Sequence, residues 1–169
     1  RLYPYTHILP KPLIPVGETP MSELIMDRFH EFGCQQFYMV VNHTKNMIKA
    51  YFNEIDKPYS IEFIDEDHPL GTGGGLSLLK NKLGGTFILT NCDILIDYDM
   101  NKIYRYHQST GSFTTMICSM KHYTIPYGVV RIDSSGAVES MEEKPAFSFL
   151  TNTGCYFVEP ELVEALEDN

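Results

Sequence analysis

Short apolar runs alternate with segments of helical periodicity along almost the whole 169-residue chain. The runs at 37–41 and 87–89 are short and continuously apolar, which is typical of strands covered on both faces of a sheet. Before the first of these runs, Met21, Leu24 and Ile25 repeat at the spacing of one helix face. Strands joined by helices of about ten residues imply right-handed crossovers. The pattern predicts an α/β fold, a three-layer α/β/α sandwich around a mainly parallel, mixed, Rossmann-like sheet.

Local chemistry predicts where several of these elements begin or turn. Thr19 and Pro20 fit the N-cap and the first helical position of the first helix. Asp99 fits the cap of a later one. Asp133-Ser134-Ser135-Gly136 predicts a hairpin turn, and this late hairpin is expected to make the sheet mixed.

The charge balance excludes one class of partner. The chain has 13 Lys and Arg against 22 Asp and Glu, a net charge of −9, which argues against binding to nucleic acid. No apolar run reaches the roughly 18 residues that a membrane span needs, and the N-terminus does not resemble a signal peptide. Four cysteines without C-x-x-C spacing favour reduced thiols. We therefore expect a cytoplasmic protein with no membrane partner.

Two loops are candidates for holding phosphate. Lys11 stands between Pro10 and Pro12, which restrict the backbone and direct the cation, although an ordinary solvated lysine has the same appearance. The glycines of the segment 71–75 allow a ligand to approach the backbone closely. A tight structural turn would also explain them, because neither the P-loop nor the dinucleotide fingerprint is present.

Two further candidates follow predicted strands, at the place where open α/β sheets bind ligands. Asp93 comes directly after the apolar run at 87–89, and its carboxylate is suited to Mg²⁺. Glu143 and Lys144, beside a proline, would offer a sugar phosphate one acceptor and one cation. A solvated run of charge is the alternative for this last pair.

The order of these motifs resembles that of the sugar-1-phosphate nucleotidyltransferases, also called nucleotide-sugar pyrophosphorylases. Their opening pattern is G-x-G-T-R-L-x-P-x-T followed by P-K-P-L-x-P-V. This chain matches it from the arginine onward with Arg1, Leu2, Pro4, Thr6, Pro10, Lys11, Pro12, Leu13, Pro15 and Val16. The further matches are Leu70-Gly71-Thr72-Gly73, Asp93, Tyr127-Gly128, Glu143-Lys144-Pro145 and Asn152-Thr153-Gly154-Cys155-Tyr156.

The resemblance implies the fold of the nucleotide-diphospho-sugar transferases and a single domain over residues 1–169 that is incomplete at both ends. The family's first strand and the glycine half of its nucleotide loop are expected before Arg1. The family's second metal-binding aspartate is expected after Asn169.

The resemblance also implies a reaction and a set of roles. A sugar 1-phosphate attacks the α-phosphorus of a nucleoside triphosphate, with Mg²⁺ as cofactor, and pyrophosphate leaves. The catalytic residues implied are Arg1 for the triphosphate, Lys11 for the reacting phosphates, Asp93 for the metal and Lys144 for the sugar phosphate. The substrate-binding residues implied are Gly71 and Thr72 near the base or ribose, with His68 as a neighbour, and Gly128, Glu143 and Asn152 at the sugar.

Several alternatives stay open. The segment 69–74 is most similar to guanylyltransferases that act on sugars like mannose 1-phosphate or heptose 1-phosphate, but uridylyl or cytidylyl transfer to another hexose 1-phosphate is also possible. A non-catalytic regulatory relative of the same fold is a second class. A nicotinamide-dependent oxidoreductase is disfavoured because its phosphate fingerprint is missing. Whether the protein is a homo-oligomer stays open.

Overall fold

The computed structural model describes residues 3–68 and 70–166, except for the side chains of residues 71 and 72. Within these residues the α-helices are Met21–Glu31 (α1), Lys45–Glu54 (α2), Gly71–Gly74 (α3), Met100–Thr110 (α4) and Pro160–Glu164 (α5). The strands are Pro15–Val16 (β1), Thr19–Pro20 (β2), Gln36–Val41 (β3), Ser60–Asp65 (β4), Phe87–Thr90 (β5), Thr114–Thr124 (β6), Gly128–Ile132 (β7), Val138–Glu143 (β8) and Ala146–Val158 (β9). Short 3₁₀ turns cover Tyr5–His7, Lys11–Leu13 and Gly75–Leu79. No helix in the described ranges has the length and apolar character needed to cross a membrane.

The chain divides into two compact units. The first holds the described residues up to Thr115 and those from Gly154 onward, and the second runs from Met116 to Thr153. The second unit contains the β7–β8 hairpin, in which all of β8 is exposed to solvent. Phe147 and Phe149 stack in this unit with their ring centroids 6.4 Å apart.

The strand pairings confirm the mixed α/β fold class. β3 pairs with β4 in parallel, from Gln36 opposite Ser60 to Val41 opposite Asp65. β5 pairs with β9 antiparallel, and the strand order of that sheet is β5-β9-β6. The prediction that the hairpin at 133–136 makes the sheet mixed is wrong. In the described ladders β7 and β8 pair only with each other, and the antiparallel strand beside β5 is β9.

The hydrophobic core of the first unit forms where α1 and α2 pack against β3 and β4. Its buried members are Leu13, Met26, Val41, Ile48, Phe52 and Tyr59. The apolar stripe predicted for α1 is confirmed, since Met21, Ile25 and Phe29 are buried. In α2, Ile48 and Phe52 are buried, whereas Met47 is 45% exposed.

The start of α1 differs from the prediction. Pro20 precedes the helix with an extended backbone, and Thr19 pairs with Val16 in the short β1–β2 ladder instead of capping. The amide of Met21 donates to the carbonyl of Ile14 at 3.0 Å. A backbone carbonyl therefore takes the place of the side-chain cap, because a free amide at a helix start needs some acceptor.

An apolar cleft of about 1060 Å³ lies in the first unit and is lined by all of β3 and all of β5. Side chains of α1 and α4 complete its walls. Because β3 lines this open space, it is not covered on both faces as its sequence suggested, and Val40 is 39% exposed. Polar residues from several loops also line the cleft, including Lys11, Asn42, Glu66 and Asn91.

Candidate functional site

Lys11 is held by a rigid segment that is tied to α1. The prolines on either side place it at the start of a 3₁₀ turn, in which the amide of Leu13 donates to the carbonyl of Pro10 at 2.9 Å. The hydroxyl of Ser22 in α1 donates to the carbonyl of Pro12 at 2.7 Å. Leu13 is buried in the core. The backbone of this cation is therefore fixed by packing and hydrogen bonds, as the two prolines predicted.

Lys11 meets Asp93 in an ion pair between Nζ and Oδ2. Asp93 stands in the turn that follows β5, so the fold joins two predicted site residues that are far apart in the chain. The side chain of Lys11 is 43% exposed and that of Asp93 is 29% exposed. A pair this accessible stabilises a protein by only about 0–1 kcal/mol. Lys11 can therefore exchange Asp93 for an anionic ligand at little cost in stability.

The two residues directly before Asp93 are Asn91 and Cys92. Burial raises the pKa of the Cys92 thiol, although the nearby Lys11 ammonium acts in the opposite direction. A thiol that stays protonated is a poor nucleophile, so Cys92 is not suited to covalent catalysis near neutral pH. Asn91 lies against Gly154, where a β-carbon would stand only 2.5 Å from Asn91 Nδ2. The sequence contains no pattern from which this contact could be predicted.

The glycine segment forms the predicted strand-to-helix turn. The backbone of Gly71–Gly74 makes the short helix α3, which continues into the 3₁₀ turn. Gly75 packs on β3, where an added β-carbon would lie 2.9 Å from Val40 Cγ1. The amide of Leu70, just before α3, donates to Glu66 Oε1 at 2.9 Å. Glu66 was not among the predicted site residues. It directly follows a strand, β4, and a position after a strand is the signal by which Asp93 was selected.

The second unit brings together three of the predicted sugar-site residues. Gly128 and Glu143 are opposite each other in the β7–β8 ladder, and Lys144 follows directly. The amide of Lys144 donates to the carbonyl of Tyr127 at 3.3 Å, and its φ of 48° is left-handed. Lys144 Nζ lies 3.9 Å from Glu143 Oε1, and both side chains are 64% exposed. Lys144 and Glu143 therefore present a cation and a carboxylate side by side to solvent, on a backbone held by cross-strand bonds.

The remaining predicted side chains are those of Asn152, His68, Arg1 and Thr72. Asn152 is exposed in β9, within the second unit, and His68 is exposed after β4. Arg1 and the side chain of Thr72 lie outside the described residues.

The donor groups that are present limit how a magnesium ion could be held. In the described part of the chain, no three His, Cys, Asp or Glu side chains cluster as a metal site. Asp93 supplies a single accessible carboxylate. This suits Mg²⁺ bound together with substrate, since magnesium commonly takes one or two carboxylates along with phosphate oxygens and water.

The nucleotidyl transferase family model matches residues 1–169. The chain belongs to the nucleotidyl transferase family. This confirms the resemblance on which the roles of Lys11, Asp93 and Lys144 were based.

Relatives within the nucleotidyl transferase family carry several substrate names. The chain is 32% identical to a UTP–glucose-1-phosphate uridylyltransferase of Synechocystis sp., over 97% of this chain and 47% of the relative. It is 30% identical to a mannose-1-phosphate guanylyltransferase catalytic subunit beta of Drosophila pseudoobscura pseudoobscura, over 99% of this chain and 47% of the relative. The chain thus spans about half the length of these curated relatives.

Solved structures support the fold. The crystal structure of HddC from Yersinia pseudotuberculosis superposes with a TM-score of 0.72 at 22% identity, covering 95% of this chain and 72% of HddC. An apo UDP-glucose pyrophosphorylase superposes with a TM-score of 0.65 at 20% identity, covering 97% of this chain and 74% of that protein. The chain therefore has the fold expected from its sequence.

Proposed function

We propose that the protein containing this chain transfers a nucleotidyl group from a nucleoside triphosphate to a sugar 1-phosphate and releases pyrophosphate. The observation that carries the proposal is the ion pair between Lys11 and Asp93 in the first unit. A cation on a rigid loop next to an accessible carboxylate suits a triphosphate, which needs positive charge from the protein and carries its own divalent ion. Family membership supports the same reaction class.

The chemistry requires little of the protein beyond orientation and charge. A phosphate monoester has its second pKa near 6, so the attacking oxygen is already largely deprotonated at pH 7. No general base or protein nucleophile is needed, in agreement with the protonated thiol of Cys92. The two substrates repel each other, and Lys11 would offset that repulsion at the reacting phosphates. Arg1 would hold the triphosphate and the departing pyrophosphate.

Asp93 would hold Mg²⁺ through its carboxylate. When bound, the metal neutralises charge on the phosphate oxygens. Asp93 is paired with Lys11 in the structure. Because that pair contributes little stability, Lys11 can turn to the substrate while Asp93 takes the cation.

Residues of the second unit would bind the sugar 1-phosphate. Lys144 would contact its phosphate, and Glu143 and the backbone of Gly128 would contact hydroxyl groups. Glu143 and Gly128 face each other across the β7–β8 ladder, which supports their assignment to one ligand. Asn152 would also face the sugar. Gly71 and Thr72 would lie near the base or ribose.

For the substrates, we propose guanylyl transfer to a sugar like mannose 1-phosphate, in the cytoplasm. The support is the glycine segment beginning at Leu70-Gly71-Thr72 and a relative whose name is mannose-1-phosphate guanylyltransferase. Uridylyl transfer to a glucose 1-phosphate is the alternative, and a relative of similar identity carries that name.

The test is pyrophosphate release by the full-length protein with each combination of GTP, UTP or CTP and mannose, glucose or heptose 1-phosphate. We expect the highest kcat/KM with GTP and mannose 1-phosphate. A maximum with UTP and glucose 1-phosphate would replace the substrate assignment and keep the reaction. Binding without pyrophosphate release for every combination would refute the enzyme proposal in favour of a regulatory relative.

Matched lysine variants test the site within each unit. Lys11→Ala and Lys144→Ala should each lower kcat/KM by roughly 30-fold to several thousand-fold, the usual effect of removing a cation from a substrate anion. Lys102→Ala in α4 and Lys121→Ala in β6 are the controls, because both lysines are exposed outside the proposed site. Equal effects of site and control variants would reject the assignment.

A further inference from the structure

Glu66 joins two loops of the first unit, the one after β3 and the one between β4 and α3, through a single carboxylate. It follows β4 directly and is only 9% exposed. Its Oε2 accepts from Nδ2 of Asn42, the residue after β3, at 2.7 Å. Its Oε1 accepts from the amide of Leu70, just before α3, at 2.9 Å. The ends of two parallel strands are thus tied to the start of the glycine segment.

In the described part of the chain, the glycine segment is held through Leu70 at one end and through Gly74 and Gly75 at the other. α3 is only four residues long, and a helix of that length is not stable alone. A β-carbon on Gly73 would meet nothing within 4 Å, so this part of the turn is not packed, whereas Gly75 rests on Val40. The bond from Leu70 to Glu66 therefore fixes the segment at one end and the contact with β3 fixes it at the other.

The chemistry of the contact requires a carboxylate. Both Glu66 oxygens accept from donors on different loops. The amide of Asn42 cannot turn round, because its Oδ1 already accepts from the backbone amide of His43 at 2.5 Å. An uncharged amide at position 66 would offer one acceptor and one donor, and the donor would face either Leu70 N–H or Asn42 Nδ2. One of the two bonds would be lost and two donors would be opposed.

We propose that Glu66 is a positioning residue that holds the 70–75 segment in the conformation that receives the nucleoside triphosphate. The inference rests on the proposed function, which assigns Gly71 and Thr72 to the base or ribose. Glu66 acts through Leu70 and does not itself contact the reacting atoms. Its removal should therefore weaken nucleotide binding and leave the chemical step and the sugar 1-phosphate site unaffected.

The hydrogen bond between Glu66 and Asn42 can be tested by substituting each partner in turn and then both. Glu66→Gln should raise the KM for the nucleoside triphosphate by roughly ten- to a hundredfold, the effect of losing a hydrogen bond to a charged group, while kcat and the KM for the sugar phosphate stay near wild type. Combining it with Asn42→Asp should restore most of the affinity, because the new glutamine amide can donate to the new aspartate and its oxygen can accept from Leu70. Asp67→Asn removes a charge from an exposed neighbour in the same loop and should have no effect.

Hydrogen exchange of the full-length protein without substrates makes the positioning role testable apart from the reaction. Glu66→Gln should speed amide exchange over residues 70–75, and the added Asn42→Asp should slow it again. Unchanged exchange, an effect on kcat alone, or failure of the double variant to recover either property would overturn the proposal. If wild type releases no pyrophosphate with any pair while exchange behaves as expected, the proposed function fails and the positioning of the segment stands.

Discussion

Gly154→Ala tests the backbone of β9 where it lies against Asn91. Gly154 adopts a φ of 82°, in the left-handed region, and an added β-carbon would lie 2.5 Å from Asn91 Nδ2. Two costs therefore arise, backbone strain at residue 154 and displacement of the Asn91 side chain. The second is small for stability, because Asn91 is exposed and its amide is the far end of a side chain that can rotate away.

The strain term sets the size of the effect. A side chain in the left-handed region costs about 1–2 kcal/mol. For a domain of this size each kcal/mol lowers Tm by about 2–4 °C, so Gly154→Ala should lower Tm by about 2–8 °C. Gly84→Ala is the matched control, since its φ is not left-handed and its β-carbon would meet no atom within 4 Å.

The assay is calorimetric unfolding of the full-length protein and of Gly154→Ala, Asn91→Ala and the double variant. We expect Asn91→Ala to be close to wild type and the double variant to retain the loss caused by Gly154→Ala, because removing the amide does not relieve the backbone. An unchanged Tm for Gly154→Ala would refute the strain argument. Full recovery in the double variant would show that the contact with Asn91, and not the backbone, sets the cost.

Three other predictions concern groups away from the substrate residues. Lys57 Nζ lies 2.8 Å from Glu23 Oε1 in a nearly buried ion pair. Lys57→Met should therefore lower the free energy of unfolding by about 3 kcal/mol, measured by denaturant titration, because the Glu23 carboxylate loses its partner. A loss below about 1 kcal/mol would show that water solvates the carboxylate in place of Lys57. Burial, and then the Glu23 carboxylate, raise the pKa of Tyr51 to about 12. The protonated Tyr51 hydroxyl should therefore contribute fully to the free energy of unfolding below about pH 10, and this contribution should disappear as the pH rises toward 12. Between about pH 10 and 12 the Tyr51→Phe variant should lose less stability than wild type, and an equal loss would contradict the prediction. Burial raises the pKa of Cys155 to about 11, so mass spectrometry at pH 8 should find iodoacetamide on the exposed Cys118 long before Cys155, and equal rates would contradict the burial of Cys155.

Much of the secondary structure could be predicted because it depends on neighbours in the sequence. The apolar repeat predicted α1, observed at Met21–Glu31. Asp99 caps α4 through a bond from the Asn101 amide at 3.0 Å. The turn Asp133-Ser134-Ser135-Gly136 connects β7 and β8, and Asp133 accepts from the amides of Ser135 and Ala137. Each of these contacts spans four residues or fewer, so residue type and spacing are sufficient to predict it.

The wrong predictions concern contacts between elements. Thr19 has the chemistry of an N-cap, but the β1–β2 ladder and the carbonyl of Ile14 compete for that role. Val40 belongs to a fully apolar run, yet it is exposed because β3 borders an open cleft. The residue preferences of one strand do not predict which of its two faces is covered, because the helix or strand that covers a face comes from elsewhere in the chain.

The candidate site, like the fold, was predicted from the sequence only in part. The order of the motifs selected Lys11, Asp93 and Lys144, and the family resemblance implied a role for each, although each motif alone also fits an ordinary surface residue. Only the tertiary structure decided that Lys11 and Asp93 meet, that Glu66 ties Asn42 to Leu70, and that Gly154 makes room for Asn91. Short-range order follows from the covalent chain and its periodicity, whereas contacts between distant residues depend on strand order and packing, which come from the free energy of the whole fold.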